Sequence, residues 1–361
     1  MKWEIAKLGK IAIIRTGKLD SNAAVIGGRY PFFTCDPNTL SIDVWAYDTE
    51  AVLLAGNNAS GNYTAKYYKG KFNAYQRTYI IESTNEEKLN IRYLCYALNQ
   101  QLQLLKTMSS GSTTKFLTVR MLDNLDIPLP GINIQNQIVN ILSAYDDLIE
   151  NNRKQIKLLE EAAQRLYKEW FVDLRFPGYE NTKIVDGVPE GWRRGLLKEL
   201  ISVNYGKDHK KAPDDGNIPV YGSGGLMRKC NKSLFSGEAV LIPRKGSLNN
   251  IMYVDETFWT VDTMFYATMK QPHTAVFVYF FVKAFDMYSM NIGAAVPSMT
   301  TKILDAMDVV IPDKETLEKF DKCAKMYFNK IKTLQGQNER LKIARDLLLP
   351  KLMYETRKGD F

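Results

Sequence analysis

The feature that most constrains the fold is a repeat, because the second half of the chain restates the first half in the same order. Trp3 corresponds to Trp192 at an offset of 189 residues, and the Ile-Pro pairs that begin at Ile127 and Ile311 are offset by 184. An ordered series of matches at a slowly drifting offset predicts two copies of one framework. With 361 residues, each copy has enough chain to bury its own core.

Each half has the pattern of a mixed α/β domain. Short β-branched or alternating runs, bounded by Gly, Pro and Asn, predict strands. A helix is expected after the strands, near 86–106 in the first half and near 274–288 in the second. The predicted strands are 11–14, 51–54 and 78–81 in the first half, and 239–242, 251–254 and 264–268 in the second.

A long helix is predicted after each globular part. Residues 134–171 contain no Pro or Gly, and the apolar residues of 317–352 recur at strict intervals of three and four, as in a coiled-coil seam. Asn152 and Asn338 interrupt the two seams, either as buried residues that fix the register or as solvated positions at the rim. Pro350 is expected to end or kink the second helix near residue 349.

The predicted fold class is therefore mixed α/β, with two similar globular domains separated by two long helices packed as an antiparallel coiled coil. The globular domains are placed at 1–130 and 181–312. The central helix is placed at 131–180 and the C-terminal helix at 313–361.

Composition excludes several classes of protein. The four cysteines form no CxxC pair and there are two histidines, so neither a zinc site nor a disulfide framework is expected. The longest apolar run, 275–282, is too short to cross a bilayer, and the first residues lack the apolar core of a signal peptide. A cytoplasmic protein without membrane contact is predicted.

No catalytic motif stands out. The three Gly-Lys pairs lack the upstream Gly of a phosphate-binding loop. His209 lies in a basic loop and His273 follows a Pro in a predicted turn, so neither has the setting of a catalytic base. The Asp of Pro312-Asp313 stands at a helix start, where an N-cap explains it better than a nuclease motif. The chain is predicted to be no enzyme and to bind no metal or cofactor of its own.

Basic, aromatic-rich stretches instead favour a polyanionic partner. Residues 51–81 contain no acidic side chain, and 206–250 contain eight Lys or Arg against four acids. Lys and Arg neutralise phosphates, while Asn, Ser and Thr bond to phosphate oxygens or to base edges. For any single residue, a solvated face is the plainer interpretation. Similar loops in both halves, including 111–115 matched with 298–302, favour binding.

The candidate contacts are polar or basic residues of these loops. Those of the first half are Lys18, Arg29, Asn57, Asn58, Arg77, Ser112, Thr113, Thr114 and Lys115. Those of the second half are Lys207, Lys210, Lys211, Arg228, Arg244, Lys245, Asn249, Thr300, Thr301 and Lys302.

Several motifs, in this order, resemble the specificity (S) subunit of a Type I restriction-modification system. The chain has Gly-Ser-Thr-Thr-Lys at 111–115, Ile-Pro-Leu-Pro at 127–130 and a Gln-Ile helix start at 137–138. It also has Val-Pro-Glu-Gly-Trp at 188–192 and Arg-Asp-Leu-Leu-Leu-Pro-Lys-Leu at 345–352. The second half departs from the pattern, since Pro312 is followed by Asp-Lys-Glu and no Gln.

The resemblance implies a non-catalytic subunit with two target-recognition domains, each reading one half of a split target in double-stranded DNA. It also implies two methyltransferase (M) subunits on the helical spine, and in some systems restriction (R) subunits with nuclease and translocase activity. S-adenosylmethionine would belong to the M subunits, and ATP and Mg to the R subunits. The alternative is a coiled-coil scaffold whose basic loops bind RNA or an acidic protein partner.

Overall fold

The computed structural model describes residues 3–59, 61–109, 115–290 and 298–354, which form two compact units. Unit 1 comprises Met1–Asn151 and Gln337–Phe361, and unit 2 comprises Asn152–Gly336. Each unit holds one sheet domain and a segment of both long helices. The division of the sequence into four segments stays a prediction.

Unit 1 begins with a sheet domain and continues into the first long helix. Its strands are β1 (Glu4–Lys7), β2 (Ala12–Thr16), β3 (Tyr30–Phe33), β4 (Leu40–Ile42), β5 (Tyr47–Ala55), β6 (Asn57–Asn58), β7 (Ala65–Ala74), β8 (Thr78–Ser83), β9 (Lys115–Phe116) and β10 (Asp126–Leu129). Its helices are α1 (Leu8–Ile11), α2 (Ile91–Gln100), α3 (Leu102–Met108), α4 (Val119–Asp123) and the first part of α5 (Ile132–Tyr167).

Unit 2 takes up the rest of α5, which ends in a π-helical turn at Lys168–Val172. Its strands are β11 (Ile184–Val185), β12 (Val188–Pro189), β13 (Arg193–Leu196), β14 (Ile201–Tyr205), β15 (Ile218–Gly222), β16 (Gly225–Cys230), β17 (Phe235–Pro243), β18 (Met252–Thr260), β19 (Met264–Met269) and β20 (Asp308–Ile311). Its helices are α6 (Ala275–Lys283), α7 (Thr301–Asp305) and the first part of α8 (Lys314–Tyr354), whose last part belongs to unit 1.

The two sheets have the same topology. The strand order is β2-β8-β5-β7-β3-β4 in unit 1 and β14-β19-β17-β18-β15-β16 in unit 2, and the strands correspond one to one. In each sheet the second and fifth strands along the chain form a parallel pair, β3 with β7 and β15 with β18, whereas the other paired strands are antiparallel. The duplicated mixed α/β architecture predicted from the sequence is confirmed.

The centre of each sheet is buried on both faces, which explains its continuous apolar runs. In β5, Val52 and Leu54 pack in the core beneath α2, while Ala51 and Leu53 pack in a smaller cluster on the other face. In β17, Val240 and Ile242 likewise face the larger core of unit 2. A slip by one residue would move every side chain of such a strand to the opposite face, so the residues that fit one cluster would have to pack in the other.

The long helices run antiparallel, as predicted, because unit 1 joins the start of α5 to the end of α8 and unit 2 joins the opposite segments. In unit 1, Arg345 on α8 donates from Nη1 to Asp146 Oδ1 on α5 at 2.7 Å. In unit 2, the rings of Tyr167 and Phe320 lie 6.2 Å apart.

Two expectations about the helices are settled by burial. Asn152 and Asn338 are 2% and 7% exposed, so the solvated-rim interpretation is wrong. Pro350 lies inside α8, which continues to Tyr354, so the expected end near 349 is also wrong. The lost hydrogen bond falls in the last turn, where the buried Leu349 and Met353 hold the helix in the core of unit 1.

Each long helix is joined to its sheet domain by a different polar residue. The buried Gln135 at the start of α5 donates to Lys88 O and Pro130 O, both at 2.8 Å, and accepts from Asn90 N at 2.9 Å. Gln137, the glutamine of the Gln-Ile motif noted in the sequence, is exposed. At the start of α8, the residue that joins the helix to its sheet domain is Asp313.

Asp313 confirms the predicted N-cap. Its carboxylate accepts from Thr316 N at 2.9 Å, from Thr316 Oγ1 at 2.7 Å and from Trp192 Nε1 at 2.9 Å. Burial alone would raise the pKa of Asp313, but the hydrogen bonds from Thr316 and Trp192 outweigh it and lower that pKa. The cap therefore ties α8 to the strand pair β13–β20 through Trp192.

Candidate nucleic-acid interface

Loops that are far apart in the sequence of unit 1 meet at one edge of its sheet. Gly56 N donates to Arg77 O at 2.8 Å, and Gly17 N donates to Thr78 O at 3.1 Å. Strand β6 pairs with β9, with Asn58 opposite Lys115. We call residues 17–19, 56–59, 61–62, 75–77 and 115–117 loop edge 1.

Loop edge 1 brings together five of the residues predicted from the sequence. These are Lys18, Asn57, Asn58, Arg77 and Lys115. Lys18 and Arg77 are exposed, and Lys115 is half-buried. The edge contains no acidic residue, so its charge is positive throughout.

Sequence reasoning missed a second lysine beside Lys115. Lys106, near the end of α3, donates to Asn62 Oδ1 at 2.9 Å. Gly61 lies between the two lysines, because a Cβ on Gly61 would be 3.1 Å from Lys106 Cγ and 3.3 Å from Lys115 Cγ. Lys106 was counted as part of a predicted helix, and its place beside Lys115 depends on tertiary contacts that residue type does not show.

One described residue among the predictions for the first half, Arg29, is not part of this grouping. Arg29 lies just before β3, at the end of that strand remote from Phe33, and Arg29 Nη2 donates to Asp43 O at 3.4 Å. Its guanidinium also lies over the ring of Tyr30. Ser112, Thr113 and Thr114 lie outside the described residues.

Unit 2 builds the equivalent edge with the same backbone hydrogen bonds. Gly206 N donates to Met264 O at 3.0 Å, Arg244 N donates to Thr263 O at 2.8 Å, and Met299 N donates to Arg244 O at 2.9 Å. We call residues 206–211, 244–250, 261–263 and 298–302 loop edge 2.

Loop edge 2 contains most of the residues predicted in the second half. They are Lys207, Lys210, Lys211, Arg244, Lys245, Asn249, Thr300, Thr301 and Lys302. All of its lysines are exposed. Its two acids, Asp208 and Asp262, are outnumbered by six Lys and Arg side chains.

Two predicted contacts of the second half make bonds within unit 2 that hold loops in place. The Arg228 side chain forms an ion pair with Asp214 and donates to Ala212 O at 2.7 Å, so it fastens the loop that follows Lys211. Asn249 donates to Asp286 Oδ1 at 2.9 Å and accepts from Met287 N at 2.8 Å. Both side chains fix the shape of the loops around them.

The matching of 298–302 with 111–115 is wrong. Thr300 Oγ1 accepts from Ile303 N at 3.3 Å and caps α7, as Thr118 Oγ1 accepts from Met121 N at 3.3 Å and caps α4. The capping geometry therefore equates 298–302 with 116–120, although the shared Thr-Thr-Lys letters suggested otherwise. The counterpart of Lys302 is the exposed Arg120, which sequence reasoning missed.

The described residues provide neither a metal centre nor a membrane-spanning helix. In the described ranges, no group of three or more His, Cys, Asp or Glu side chains is placed to hold a metal ion. Across the same residues, every helix is too short or too polar to span a bilayer.

Comparison with known proteins defines the class. The chain matches the Type I restriction modification DNA specificity domain twice, over residues 1–161 and 189–342. These two matches take up most of the chain, so it belongs to that family, and the family predicted from the sequence is confirmed. Each match contains one sheet domain and part of the long helix that follows it.

Particular relatives agree with this class. The chain is 32% identical over 213 residues to the Type I restriction enzyme EcoDI specificity subunit of Escherichia coli, covering 53% of this chain and 47% of that protein. It is 26% identical over 305 residues to the MjaIX specificity subunit of Methanocaldococcus jannaschii, covering 73% and 67%. The alignment thus spans about half the length of the Escherichia coli relative.

A solved structure shares the fold. The crystal structure of the Type-I restriction-modification system S subunit from M. genitalium matches with a TM-score of 0.62 at 18% identity, over 97% of this chain and 96% of that one. At this level of identity the likeness shows the fold alone.

Proposed function

We propose that this chain is the DNA-reading subunit of a Type I restriction-modification complex, and that each unit reads one half of a bipartite duplex target. The observation that carries the proposal is the duplicated loop edge. The same backbone hydrogen bonds assemble a cationic edge in each unit of a chain that belongs to a DNA specificity family.

The chemistry of both loop edges suits a duplex. Exposed lysines such as Lys18 and Lys207 supply phosphate contacts that fix position without reading sequence. Asn57, Arg77 and Arg244 carry amide or guanidinium groups, which read base edges in the major groove. A chain of this kind supplies recognition, and the proposal assigns it no bond-making step and no cofactor.

The long helices are proposed to set the spacing of the two half-sites. Helix α5 has 36 residues, and at about 1.5 Å per residue it is about 54 Å long. This exceeds the roughly 34 Å of one turn of DNA, the usual separation of half-sites read by paired modules.

The same helices are proposed to dock two M subunits, which bring S-adenosylmethionine, and R subunits with ATP and Mg where a system has them. Large apolar side chains are exposed on both helices, and such side chains favour burial against a partner. In unit 1 they are Ile141, Leu148, Ile343 and Leu347, and in unit 2 they are Leu158 and Met326.

The direct test is to map methylated adenines in a cell that expresses this chain with a candidate M subunit. The proposal expects one bipartite motif, present with both proteins and absent when either is omitted. A motif that survives without this chain would contradict the proposal, and so would its replacement by an unsplit site.

A further inference from the structure

The two loop edges share a backbone crossing at which one residue is held by two hydrogen bonds. In unit 1 this residue is Gly56, whose N donates to Arg77 O and whose O accepts from Leu117 N, both at 2.8 Å. In unit 2 it is Arg244, whose N donates to Thr263 O at 2.8 Å and whose O accepts from Met299 N at 2.9 Å. Gly56 and Arg244 therefore hold equivalent places, as do Arg77 and Thr263.

The crossing in unit 1 excludes a side chain at position 56. A Cβ on Gly56 would lie 2.4 Å from Arg77 O and 2.9 Å from Cε2 of Tyr79, closer than real Cβ atoms approach. In unit 2 the residue equivalent to Tyr79 is Phe265, and its ring instead supports the side chain of Arg244. The arginine of loop edge 1, Arg77, therefore precedes β8, whereas the arginine of loop edge 2 at this crossing, Arg244, follows β17.

The guanidinium of Arg244 is held in one orientation. Its Cζ lies 4.9 Å from the ring centre of Tyr205 and 5.1 Å from that of Phe265, and the two rings are themselves packed edge to face. Arg244 Nη1 donates to Asp262 O at 2.9 Å. Nε is buried without a partner and Nη1 uses one of its two protons on Asp262 O, while Nη2 has no hydrogen bond within the described part of the chain. The donors left for a ligand are therefore Nη2 and the second proton of Nη1.

A planar guanidinium held in one orientation suits a different contact with DNA from the mobile ammonium group of a lysine. Two parallel N–H donors on a guanidinium match O6 and N7 of guanine, the commonest specific contact in the major groove. Because stacking on Tyr205 already orders the side chain, little conformational freedom is lost when it binds. Lys245, the next residue, is exposed and has no such support, which suits a phosphate contact.

We propose that Arg244 is the specificity-determining residue of unit 2, and that it reads a guanine in the half-site of that unit. This inference rests on the proposed function. It goes beyond a basic patch, because it assigns base selection to one side chain and charge neutralisation to its neighbours.

The test compares Arg244→Lys with Lys245→Ala in the assembled complex of this chain with its M subunits. The probe is a pool of duplex DNA with a randomised segment, and the bound duplexes are sequenced. Thermal unfolding checks that both variants fold as the parent does. Affinity is measured at several salt concentrations.

The expected result separates the two residues. Arg244→Lys keeps the charge and the salt dependence but loses a preference for guanine of about tenfold or more at one position of one half-site. Lys245→Ala selects the same motif, binds every sequence more weakly and lowers the salt slope by about 0.9.

Other results overturn the inference or the proposal beneath it. If Arg244→Lys selects the parental motif unchanged, or loses a base other than guanine, the assignment of Arg244 is wrong and the proposed function stands. If the parent complex itself selects no motif, the proposed function fails and takes the assignment with it.

Discussion

Comparison of the two units separates the parts of the domain that are kept from those that change. A Tyr–Glu pair across the sheet is kept, since Tyr67 donates to Glu50 at 2.9 Å and Tyr253 donates to Glu238 at 2.6 Å. Burial, followed by the effect of Glu50, raises the pKa of Tyr67 to about 12, so the phenol stays a donor at neutral pH.

The loop edges, by contrast, change their side chains while keeping their hydrogen bonds. Gly56 in unit 1 and Arg244 in unit 2 occupy equivalent positions of the crossing. Position 56 has no room for a side chain, whereas the side chain of Arg244 makes two cation–π contacts. The sheet and the backbone hydrogen bonds of the crossing are therefore the same in both units, whereas the side chains available for recognition differ. Three predictions test this division.

The largest expected effect is at the crossing itself. Gly56→Ala should lower the free energy of unfolding by about 1–3 kcal/mol, because the new methyl group clashes with backbone and with Tyr79. Arg244→Ala, at the equivalent place, should cost about 1 kcal/mol or less, the size of a partly exposed cation–π contact. Urea denaturation of both variants measures the difference, and equal losses would contradict the exclusion of a side chain at position 56.

A smaller effect is expected at the helix starts. Asp313→Ala should cost about 1 kcal/mol at neutral pH, as loss of an N-cap does. Because the pKa of Asp313 is lowered in the folded chain, its contribution is present above its ordinary value of 3.8 and is lost as the pH falls through the lower folded value. The cost of Asp313→Ala should therefore shrink in acid.

Gln135→Ala is the matched control at the other helix start, because the amide does not titrate and its cost should stay the same across the same pH range. Unfolding midpoints in urea at several pH values measure both. A pH-independent cost at Asp313 would show that its charge plays no part in the cap.

The smallest effect is expected for single lysines of the loop edges. Lys115→Ala in loop edge 1 and Lys207→Ala in loop edge 2 should each weaken duplex binding and lower the slope of log affinity against log salt by about 0.9. Fluorescence anisotropy over a salt series measures this. If affinity is unchanged at every salt concentration, these lysines lie outside the interface.

Sequence patterns predicted the fold well where a local signal coincides with the tertiary contact. The apolar runs at the centre of β5 and β17 and the cap at Asp313 are examples. The prediction omitted β7, because its Tyr and Lys residues do not alternate and are interrupted by Gly70, whose φ of 128° is uncommon in a strand. The predicted helix end near Pro350 was wrong, because burial of Leu349 and Met353 outweighs the tendency of proline to end a helix.

The candidate site was harder to predict, because its members meet only through strand pairing. Lys18, Asn58 and Lys115 were each found by residue type, and the pairing of β6 with β9 joins the last two. Residue type gave no means of knowing that Arg228 is held by Asp214 and by Ala212 O. Nor could it show that Arg244 is held over two aromatic rings.

The most direct test of the central claim, that each unit reads its own half-site, is to exchange residues 1–130 for those of another family member. Methylated adenines are then mapped in cells that express the hybrid with the M subunit. The account predicts a motif whose one half is new and whose other half and spacing are unchanged. Alteration of both halves would contradict separate reading by the two units.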